Sequence, residues 1–404
     1  MRKHFVLTTF GSLGDFLPTF GLARALADLG HKVDLVAPAY FAPHAQAPGV
    51  RFIGHGSAAG YARDLTDSRG VDRDLAWLAE YSAGAALSHQ IRAIEAAAGE
   101  SGSDCVVVGL PNAFGALWAA KAHGLTTFGL VLAPNHMVTF ANPRPISETA
   151  YRAAFRGYGM DDPPPPVTDP KRSFLGDYVF EFDHFIELFP PWFDTIPYER
   201  RSNTILGTFP GETSTRLVEA AQTFADQGPA PWVFFPGSGR TLLKVRPDLF
   251  EVAAEACRRS GRRAILIDPA LGDAVEKIDD VAILCGMTDL SRLLPLCAGF
   301  FHHGGAGSTS MGLASGLPQV VSPVVYDQPS NAAWLVREGA ATTLEPAQLT
   351  ATSLIDVLQA AEALPVSARH ALAARLESEK GAAGVAARIV QALEAAPSSV
   401  LEPA

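Results

Sequence analysis

Short apolar runs and helical patterns alternate at the start of the chain. The run His4–Thr9 predicts a strand, residues 11–14 form a glycine-rich turn, and Lys32–Ala37 predicts a second strand. Between the strands, apolar residues recur at the spacing of one helix face, and Gly30 stands where such a helix ends; these apolar positions are Phe20, Ala23, Leu26, Ala27 and Leu29. This order predicts a βαβ unit with parallel strands.

The alternation recurs twice along the chain. In the first series, strands are predicted at Asp104–Leu110 and Thr127–Leu132, with helical stretches over Leu87–Ala98 and Ala113–His123. The second series has a strand at Trp232–Phe235, a turn at Gly237–Gly239, a helix at Asp248–Ser260, a strand at Arg263–Ile267, and continues through Val281–Cys285, Leu293–Cys297, Gly299–His302 and Gln319–Ser322. Two such series predict an α/β protein of two Rossmann-like domains with a cleft between them.

The domain limits follow from breaks in this pattern. We predict an N-terminal domain over residues 1–206, a C-terminal domain over 207–380 and a helical segment over 381–404, with a linker between Leu206 and Pro231. Gly381–Ala395 has an amphipathic helical pattern, and its return to the N-terminal domain is left open. The stretch from Asn135 to Pro197 breaks the alternation with a proline run and many aromatic residues. Packing and a wall of an apolar ligand cleft are equally good interpretations of it.

Composition narrows the possible partners. The chain has 404 residues, of which 48% are apolar and 18% charged, and a formal net charge of −10. This acidity argues against nucleic acid as a partner, because phosphate backbones select basic clusters. Four scattered cysteines suggest neither a zinc ribbon nor a disulfide framework, and no apolar stretch is long enough to predict a membrane span. A cytoplasmic protein is therefore expected.

Residues Gly299–Asn331 carry the most informative motif. A short strand ends at His302 and His303, and four small residues follow before an apolar helix opens near Ser308. Backbone N–H groups at a helix start, unobstructed by side chains, bind anions such as phosphate. Glycine alone is weak evidence for such a site. The two histidines, together with Asp327 and Gln328 downstream, make a phosphate site a much stronger prediction.

This stretch resembles the donor-binding motif of the inverting nucleotide-sugar glycosyltransferases that adopt the GT-B fold. The opening TTFGSLGDFLPTFGLARALADLGHKVDLVAP is similar to the family's first strand, loop, helix and strand, and most like bacterial members with G-S-x-G-D-x-x-P, including the rhamnosyltransferases that make rhamnolipids. The segment ELFPPWF and residues 207–210 resemble the same group. The resemblance implies a UDP- or dTDP-sugar donor, and an active site between two Rossmann-like domains.

The resemblance also implies roles for single residues. A histidine before the small-residue turn contacts the donor phosphate, with His303 as first choice and His302 as second. Further donor contacts are implied for the small residues of the turn, the acidic and amide pair, and the first loop of the second domain: Gly305, Gly307, Ser308, Thr309, Asp327, Gln328, Gly237 and Ser238. Many members have an aromatic residue about eighteen positions before the histidine to stack on the base, where this chain has Cys285. Uridine and thymidine therefore both remain open.

The chemistry of inversion needs a base for the acceptor hydroxyl and stabilisation of the leaving diphosphate. The bacterial subgroup implies Asp15 as the base, and burial in the cleft would have to raise the pKa of this carboxyl. The two histidines and the helix N-terminus supply the second need, so no metal ion and no cofactor is predicted. For a lipophilic acceptor we predict contacts with the N-terminal loop and the aromatic segment: Ser12, Gly14, Phe16, His136 and Trp192.

Simpler interpretations of these residues remain. Asp15 and Asp327 can be helix caps, and His302 and His303 can be buried strand-end residues. The triplet Asp72-Arg73-Asp74 imitates a metal-binding D-x-D motif, but it is better explained as a solvated face. Two other functions also remain open: a GT-B sugar epimerase, for which no suitably placed acid and base carboxylates are recognised, and a non-catalytic homologue that binds the donor or stabilises a partner enzyme.

Overall fold

The computed structural model describes the chain in six stretches: residues 2–66, 85–111, 113–141, 181–211, 218–272 and 274–395. The proline run at 163–166 and the Asp72-Arg73-Asp74 triplet, both singled out in the sequence, lie outside these stretches. In the described residues, two seven-stranded sheets each form the centre of one half of the molecule. The predicted α/β fold with two Rossmann-like halves is confirmed.

The first sheet is parallel throughout and has the strand order β3-β2-β1-β4-β5-β6-β7. Its strands are β1 (His4–Thr8), β2 (Lys32–Pro38), β3 (Val50–His55), β4 (Cys105–Gly109), β5 (Thr126–Val131), β6 (His184–Glu187) and β7 (Thr204–Ile205). Its helices are α1 (Leu13–Asp28), α2 (Ala58–Thr66), α3 (Ala85–Ser101), α4 (Phe114–Ala122) and α5 (Pro134–Ala141). Strands β1 and β4 are wholly buried and mostly apolar, as expected for a parallel sheet covered on both faces.

The second sheet has the order β10-β11-β9-β8-β12-β13-β14, with only β10 antiparallel to its neighbour among the described strands. Its strands are β8 (Trp232–Phe235), β9 (Ala264–Ile267), β10 (Val275–Lys277), β11 (Ala282–Cys285), β12 (Gly299–His302), β13 (Gln319–Val321) and β14 (Ala341–Thr343). The helices are α6 (Glu219–Asp226), α7 (Thr241–Val245), α8 (Leu249–Ser260), α9 (Leu290–Leu293), α10 (Ala306–Ser315), α11 (Gln328–Arg337), α12 (Ala351–Glu362), α13 (Val366–Glu377) and α14 (Gly381–Ala395).

The last helix, α14, packs on the first half of the molecule. Val385, Ala386 and Ile389 are buried in the same apolar cluster as the α1 residues Phe16 and Phe20. Because the chain leaves the first half near residue 207 and returns at 381, the two halves are linked by two crossings. A β-carbon at Gly207 would lie 2.0 Å from the Glu187 carbonyl oxygen, so the backbone of the first crossing packs closely against the first half.

An ionic network around one buried aspartate lies at one edge of the first sheet. Asp34 on β2 is fully buried and accepts hydrogen bonds from Arg51 Nε (2.7 Å) and His4 Nε2 (2.9 Å). Burial alone would raise the pKa of Asp34, but the bonds from Arg51 and His4 outweigh it and hold the pKa below its usual value. The network therefore ties β1, β2 and β3 together.

Candidate active site

The first loop of the chain, between β1 and α1, is closed by a capping box. Ser12 is the N-cap of α1, and its hydroxyl accepts from the Gly14 N–H at 3.1 Å. The Asp15 carboxylate accepts from the Ser12 N–H at 2.8 Å in return. Asp15 therefore takes part in capping α1, as the simpler interpretation predicted. This capping bond leaves a further role of the carboxylate in the cleft possible.

Asp15 is half-buried at the carboxyl end of the first sheet, where parallel α/β folds form their ligand clefts. Burial raises the pKa of this carboxyl, as the sequence argument required of a base. The Ser12 N–H and the charge of His136 oppose that shift, whereas the charge of Asp327 in the second half of the molecule adds to it. Asp15 and Asp327 therefore interact electrostatically across the cleft.

The two adjacent histidines at the end of β12 have different environments. His302 is fully buried, with its Nε2 3.1 Å from the Gln319 side-chain oxygen and its Nδ1 accepting from the Gly304 N–H at 3.1 Å. Burial lowers the pKa of His302 to about 3, so the ring is neutral and carries its proton on Nε2. Both ring nitrogens of His302 are thus used inside the fold.

His303 instead lies between two glycine loops. A β-carbon at Gly237 would stand 2.8 Å from His303 Nε2, and one at Gly305 would stand 2.6 Å from the same atom. These two glycines therefore let the loop after β8 and the turn before α10 close on the ring. Burial lowers the pKa of His303 to about 4, and its Nδ1 has no hydrogen-bond partner within the described part of the chain.

The start of α10 offers fewer groups to a ligand than the sequence suggested. Gly305 is the N-cap, and the first-turn N–H groups of Gly307 and Ser308 lack partners within the helix by its geometry. The Thr309 hydroxyl is buried and donates to the Gly304 carbonyl at 3.3 Å. The predicted contact of Thr309 with a diphosphate therefore has no support from its hydroxyl, which stabilises the turn instead.

Asp327 joins α10 to α11. It stands at the N-cap of α11, the position that the simpler interpretation gave it, but its side chain makes no capping bond there. Its Oδ2 accepts instead from the Ala306 N–H of α10 at 3.0 Å and from Asn331 Nδ2 at 2.7 Å. Burial raises the pKa of Asp327, whereas the charge of His136 and the hydrogen bond from Asn331 lower it.

Gln328 and Ser238 differ in burial and in the side-chain hydrogen bonds that they make within the fold. The Gln328 side-chain oxygen accepts from the N–H groups of Val324 (2.9 Å) and Val325 (3.1 Å), which stabilises the loop before α11. The side-chain oxygen of Gln328 is therefore occupied within the fold. Ser238 is half-buried in the loop after β8, directly beside Gly237.

The two halves touch beside these acidic residues. Asn135, at the start of α5, donates from Nδ2 to the Tyr326 carbonyl of the second half at 2.9 Å. His136 follows Asn135, and Asp327 follows Tyr326, which places His136 within electrostatic reach of both Asp15 and Asp327. His136 therefore lies near both acidic residues, and its contact with an acceptor stays a prediction.

Two predicted acceptor contacts lie elsewhere. Phe16 is 0% exposed and stacks on Phe41 at 4.5 Å in the core of the first half, so its predicted contact with an acceptor is wrong. Trp192 packs against Trp334 and donates from its indole nitrogen to Glu379 at 2.6 Å. These contacts place Trp192 in the interface between the halves, and no contact in the structure supports its acceptor role.

Comparison with known proteins identifies the family. Residues 260–396 match the family described as the C-terminal domain of the erythromycin biosynthesis protein CIII-like proteins. The glycosyltransferase GtfE of Amycolatopsis orientalis is 30% identical over 363 residues, which cover 80% of this chain and 81% of that protein. The chain belongs to the GT-B glycosyltransferase family. An uncharacterised Mycobacterium bovis protein is 26% identical over 250 residues, and the chain spans only 57% of that relative's length.

Solved structures share the fold of this GT-B family member. The glycosyltransferase of kitacinnamycin has a TM-score of 0.72 at 19% identity, covering 97% of this chain and 99% of that one. The glycosyltransferase VinC, solved in complex with dTDP, has a TM-score of 0.65 at 16% identity, covering 98% and 100%. At these sequence identities, the comparison with solved structures shows a shared fold only. Among the described residues of this GT-B protein, no helix is both long and apolar enough to cross a bilayer.

Three residues that serve this GT-B site escaped the sequence argument. Asn331 bonds both Asp327 and the Gly304 carbonyl, Gln319 bonds His302, and the Tyr61 hydroxyl bonds Gly11. Only Gln319 carried a signal, because a polar residue at the start of a buried strand needs a partner. The bond of Asn331 to the Gly304 carbonyl and that of Tyr61 to Gly11 span 27 and 50 positions of sequence, which no local pattern reveals.

Proposed function

We propose that this protein is an inverting, metal-independent glycosyltransferase that moves a sugar from a UDP- or dTDP-sugar to a hydroxyl of a lipophilic small molecule. The acceptor oxygen gives its proton to Asp15 as it bonds to the anomeric carbon, and the bond from that carbon to the diphosphate breaks. The nucleoside diphosphate leaves with the bonding pair. Asp15 then releases its proton to water, which restores the base.

The contact between α1 and α10, which joins the two halves, is the observation that carries this proposal. Asp15 lies in the first turn of α1, and Asp327, which accepts from the Ala306 N–H in the first turn of α10, is near enough for its charge to raise the pKa of Asp15. An inverting transfer needs acceptor activation on one side of the sugar and leaving-group stabilisation on the other, and the facing halves can supply both. The raised pKa of Asp15 supports its role, because a carboxyl with its ordinary pKa is a weak base near neutral pH.

His303 is the residue that we assign to the donor phosphate. Its partner-free Nδ1 and its position between Gly237 and Gly305 support this choice over His302, whose nitrogens are both occupied. A diphosphate next to His303 would also raise the low pKa of the ring and favour its protonated form as negative charge develops. The free first-turn N–H groups of α10 add to this stabilisation.

Asp327 and Gln328 are assigned to the hydroxyls of the donor sugar. Because Asp327 Oδ2 is used by Ala306 and Asn331, a sugar hydroxyl would bond Oδ1, and the Gln328 amide nitrogen would supply a donor. Cys285 is fully buried, so it offers no stacking surface to the base. Uridine and thymidine both stay in the proposal, and the dTDP complex of VinC makes dTDP the first nucleotide to test.

A transfer assay tests the proposed base. Purified protein is incubated with UDP- and dTDP-sugars and with fatty-acyl, polyketide and phenolic alcohols, and products are read by mass spectrometry. Asp15→Asn should lower kcat by about 10²–10⁴-fold, the usual effect of losing a general base, with dTDP or UDP binding nearly unchanged. Asp28→Asn, an exposed aspartate of the same helix, is the matched control. Full activity in Asp15→Asn would refute the assignment. If the wild-type protein binds nucleotide but transfers no sugar to any acceptor, a binding-only homologue is favoured instead.

Calorimetry with dTDP and UDP tests His303. Losing a hydrogen bond to a charged phosphate costs about 1.5–3 kcal/mol, so His303→Ala should weaken nucleotide binding by about 10–150-fold. His370→Ala, which removes an exposed histidine of α13 in the same half, should leave the affinity unchanged. Equal affinities in both variants would contradict a phosphate contact by His303.

A further inference from the structure

A single phenolic hydroxyl binds both the backbone N–H and the backbone carbonyl of Gly11. The Tyr61 hydroxyl accepts from the Gly11 N–H at 2.8 Å and donates to the Gly11 carbonyl at 2.5 Å. Tyr61 belongs to α2 and lies 50 positions further along the chain. We propose that Tyr61 is a positioning residue for transfer, which fixes the Gly11 peptide so that the loop presents the Asp15 carboxylate to the acceptor.

The loop geometry explains why the Gly11 peptide matters to Asp15. Gly11 has a φ of +102°, and a β-carbon there would lie 2.4 Å from Asp15 Oδ2. The carboxylate thus rests directly on the Gly11 backbone and accepts from the next N–H, that of Ser12, at 2.8 Å. Rotation of the Gly11 peptide would redirect the Ser12 N–H and displace the carboxylate with it.

Tyr61 is itself rigidly held, as a positioning residue must be. It is 1% exposed, and its ring packs on Tyr40 at 5.5 Å and on Phe41 at 5.6 Å. Phe41 in turn stacks on Phe16, one residue after Asp15. The phenol is therefore fixed by the same core that supports α1, and its hydroxyl has little freedom to leave the Gly11 peptide.

This inference rests on the proposed role of Asp15, and one set of variants tests both. Tyr61→Phe removes the hydroxyl and keeps the ring, and Tyr40→Phe removes the neighbouring hydroxyl as the matched control. Tyr61→Phe should lower kcat by about 10- to 100-fold, the scale of a small misplacement of a catalytic group, with the donor KM within twofold of wild type. Tyr40→Phe should leave both constants unchanged.

The pH profile of kcat/KM supplies a readout that a structural defect alone would not move. The Ser12 N–H lowers the pKa of Asp15, so its loss in Tyr61→Phe should shift the acidic limb of the profile to higher pH. Asp327 and His136, the other charged groups that act on Asp15, are unchanged in both variants. An unshifted limb in Tyr61→Phe would overturn the inference.

The double variant Asp15→Asn/Tyr61→Phe separates the two claims. If Tyr61 acts through Asp15, the double variant should be no slower than Asp15→Asn alone. Multiplied losses, or a Tyr61→Phe enzyme as active as Tyr40→Phe, would overturn the role of Tyr61 and leave the base untouched. Full activity in Asp15→Asn would instead remove the proposed base itself.

Discussion

Replacing Gly312 with alanine tests how the turn that carries His303 is supported. Gly312 lies inside α10, and a β-carbon there would stand 2.0 Å from the Gln319 side-chain oxygen and 2.5 Å from its carbonyl carbon. Real β-carbons do not approach so closely, so the buried Gln319 side chain must move. That movement breaks its bond to His302, whose Nδ1 orders the turn through the Gly304 N–H.

The size of the effect follows from three contributions. Overpacking a buried site costs about 1–3 kcal/mol, and a buried His302 N–H without its acceptor costs about 1–3 kcal/mol more. Alanine recovers about 1 kcal/mol over glycine in a helix interior. Gly312→Ala should therefore lower the free energy of unfolding by about 1–5 kcal/mol, against the sign that helix propensity alone predicts.

Urea unfolding of Gly312→Ala and Gly99→Ala, followed by circular dichroism, measures this difference. Gly99 lies in α3 with open space around its missing β-carbon, so its alanine variant should be slightly more stable than wild type, by about 0.4–1 kcal/mol. If Gly312→Ala is stabilised as much as Gly99→Ala, the contact of Gly312 with Gln319 does not constrain the turn. That result would refute the argument for the His302 support.

Three further predictions concern contacts within the first half and between the two halves. Asp34→Asn should lower the free energy of unfolding at pH 7 by about 1–3 kcal/mol, because it removes the charged acceptor of the hydrogen bonds from Arg51 and His4. Because the pKa of wild-type Asp34 is depressed by folding, its stabilising contribution is complete above the ordinary aspartate pKa and is lost as the pH falls through the folded value, so urea midpoints of wild type and variant should converge in acid. Asn135→Ala removes the bond to the Tyr326 carbonyl and should raise the donor KM severalfold in the transfer assay while the urea midpoint stays nearly constant; an unchanged KM would contradict a role in closing the cleft. Trp334→Phe should cost about 1 kcal/mol of stability by removing the indole bond to Asp194, and urea unfolding of the variant with and without Asp194→Ala should show that the two losses are not additive.

Much of the fold could be predicted because apolar runs and glycine turns are local signals. The strands Trp232–Phe235 and Gly299–His302 and the helix Gly381–Ala395 have the predicted limits. Residues 293–297, placed in the strand–helix alternation without a type, form the end of α9 and a 3₁₀ turn at Leu294–Leu296. The predicted linker proved to contain α6, whose buried face of three apolar residues is too short to stand out among polar neighbours.

The site was harder to predict, because its contacts join residues distant in sequence. Strand periodicity does carry one signal. Phe300 and His302 share a face of β12, where their rings stack at 4.6 Å, so alternation directs the side chain of His303 to the other face. The partner of Asp327, the Ala306 N–H, comes from a helix that starts 21 positions earlier. This bond joins the N-termini of α10 and α11, and the sequence around either N-terminus alone does not indicate it.

The return of α14 to the first half has a consequence for engineering. A chimera that takes the second half of a relative to change the donor sugar also imports the relative's last helix, which must then fit the α1 surface against which Val385 and Ile389 pack. That surface lies on the same helix as Asp15. An exchange made with two junctions, one near residue 207 and one near 381, keeps the native α14 on α1, and it should preserve acceptor chemistry where an exchange with a single junction disturbs it.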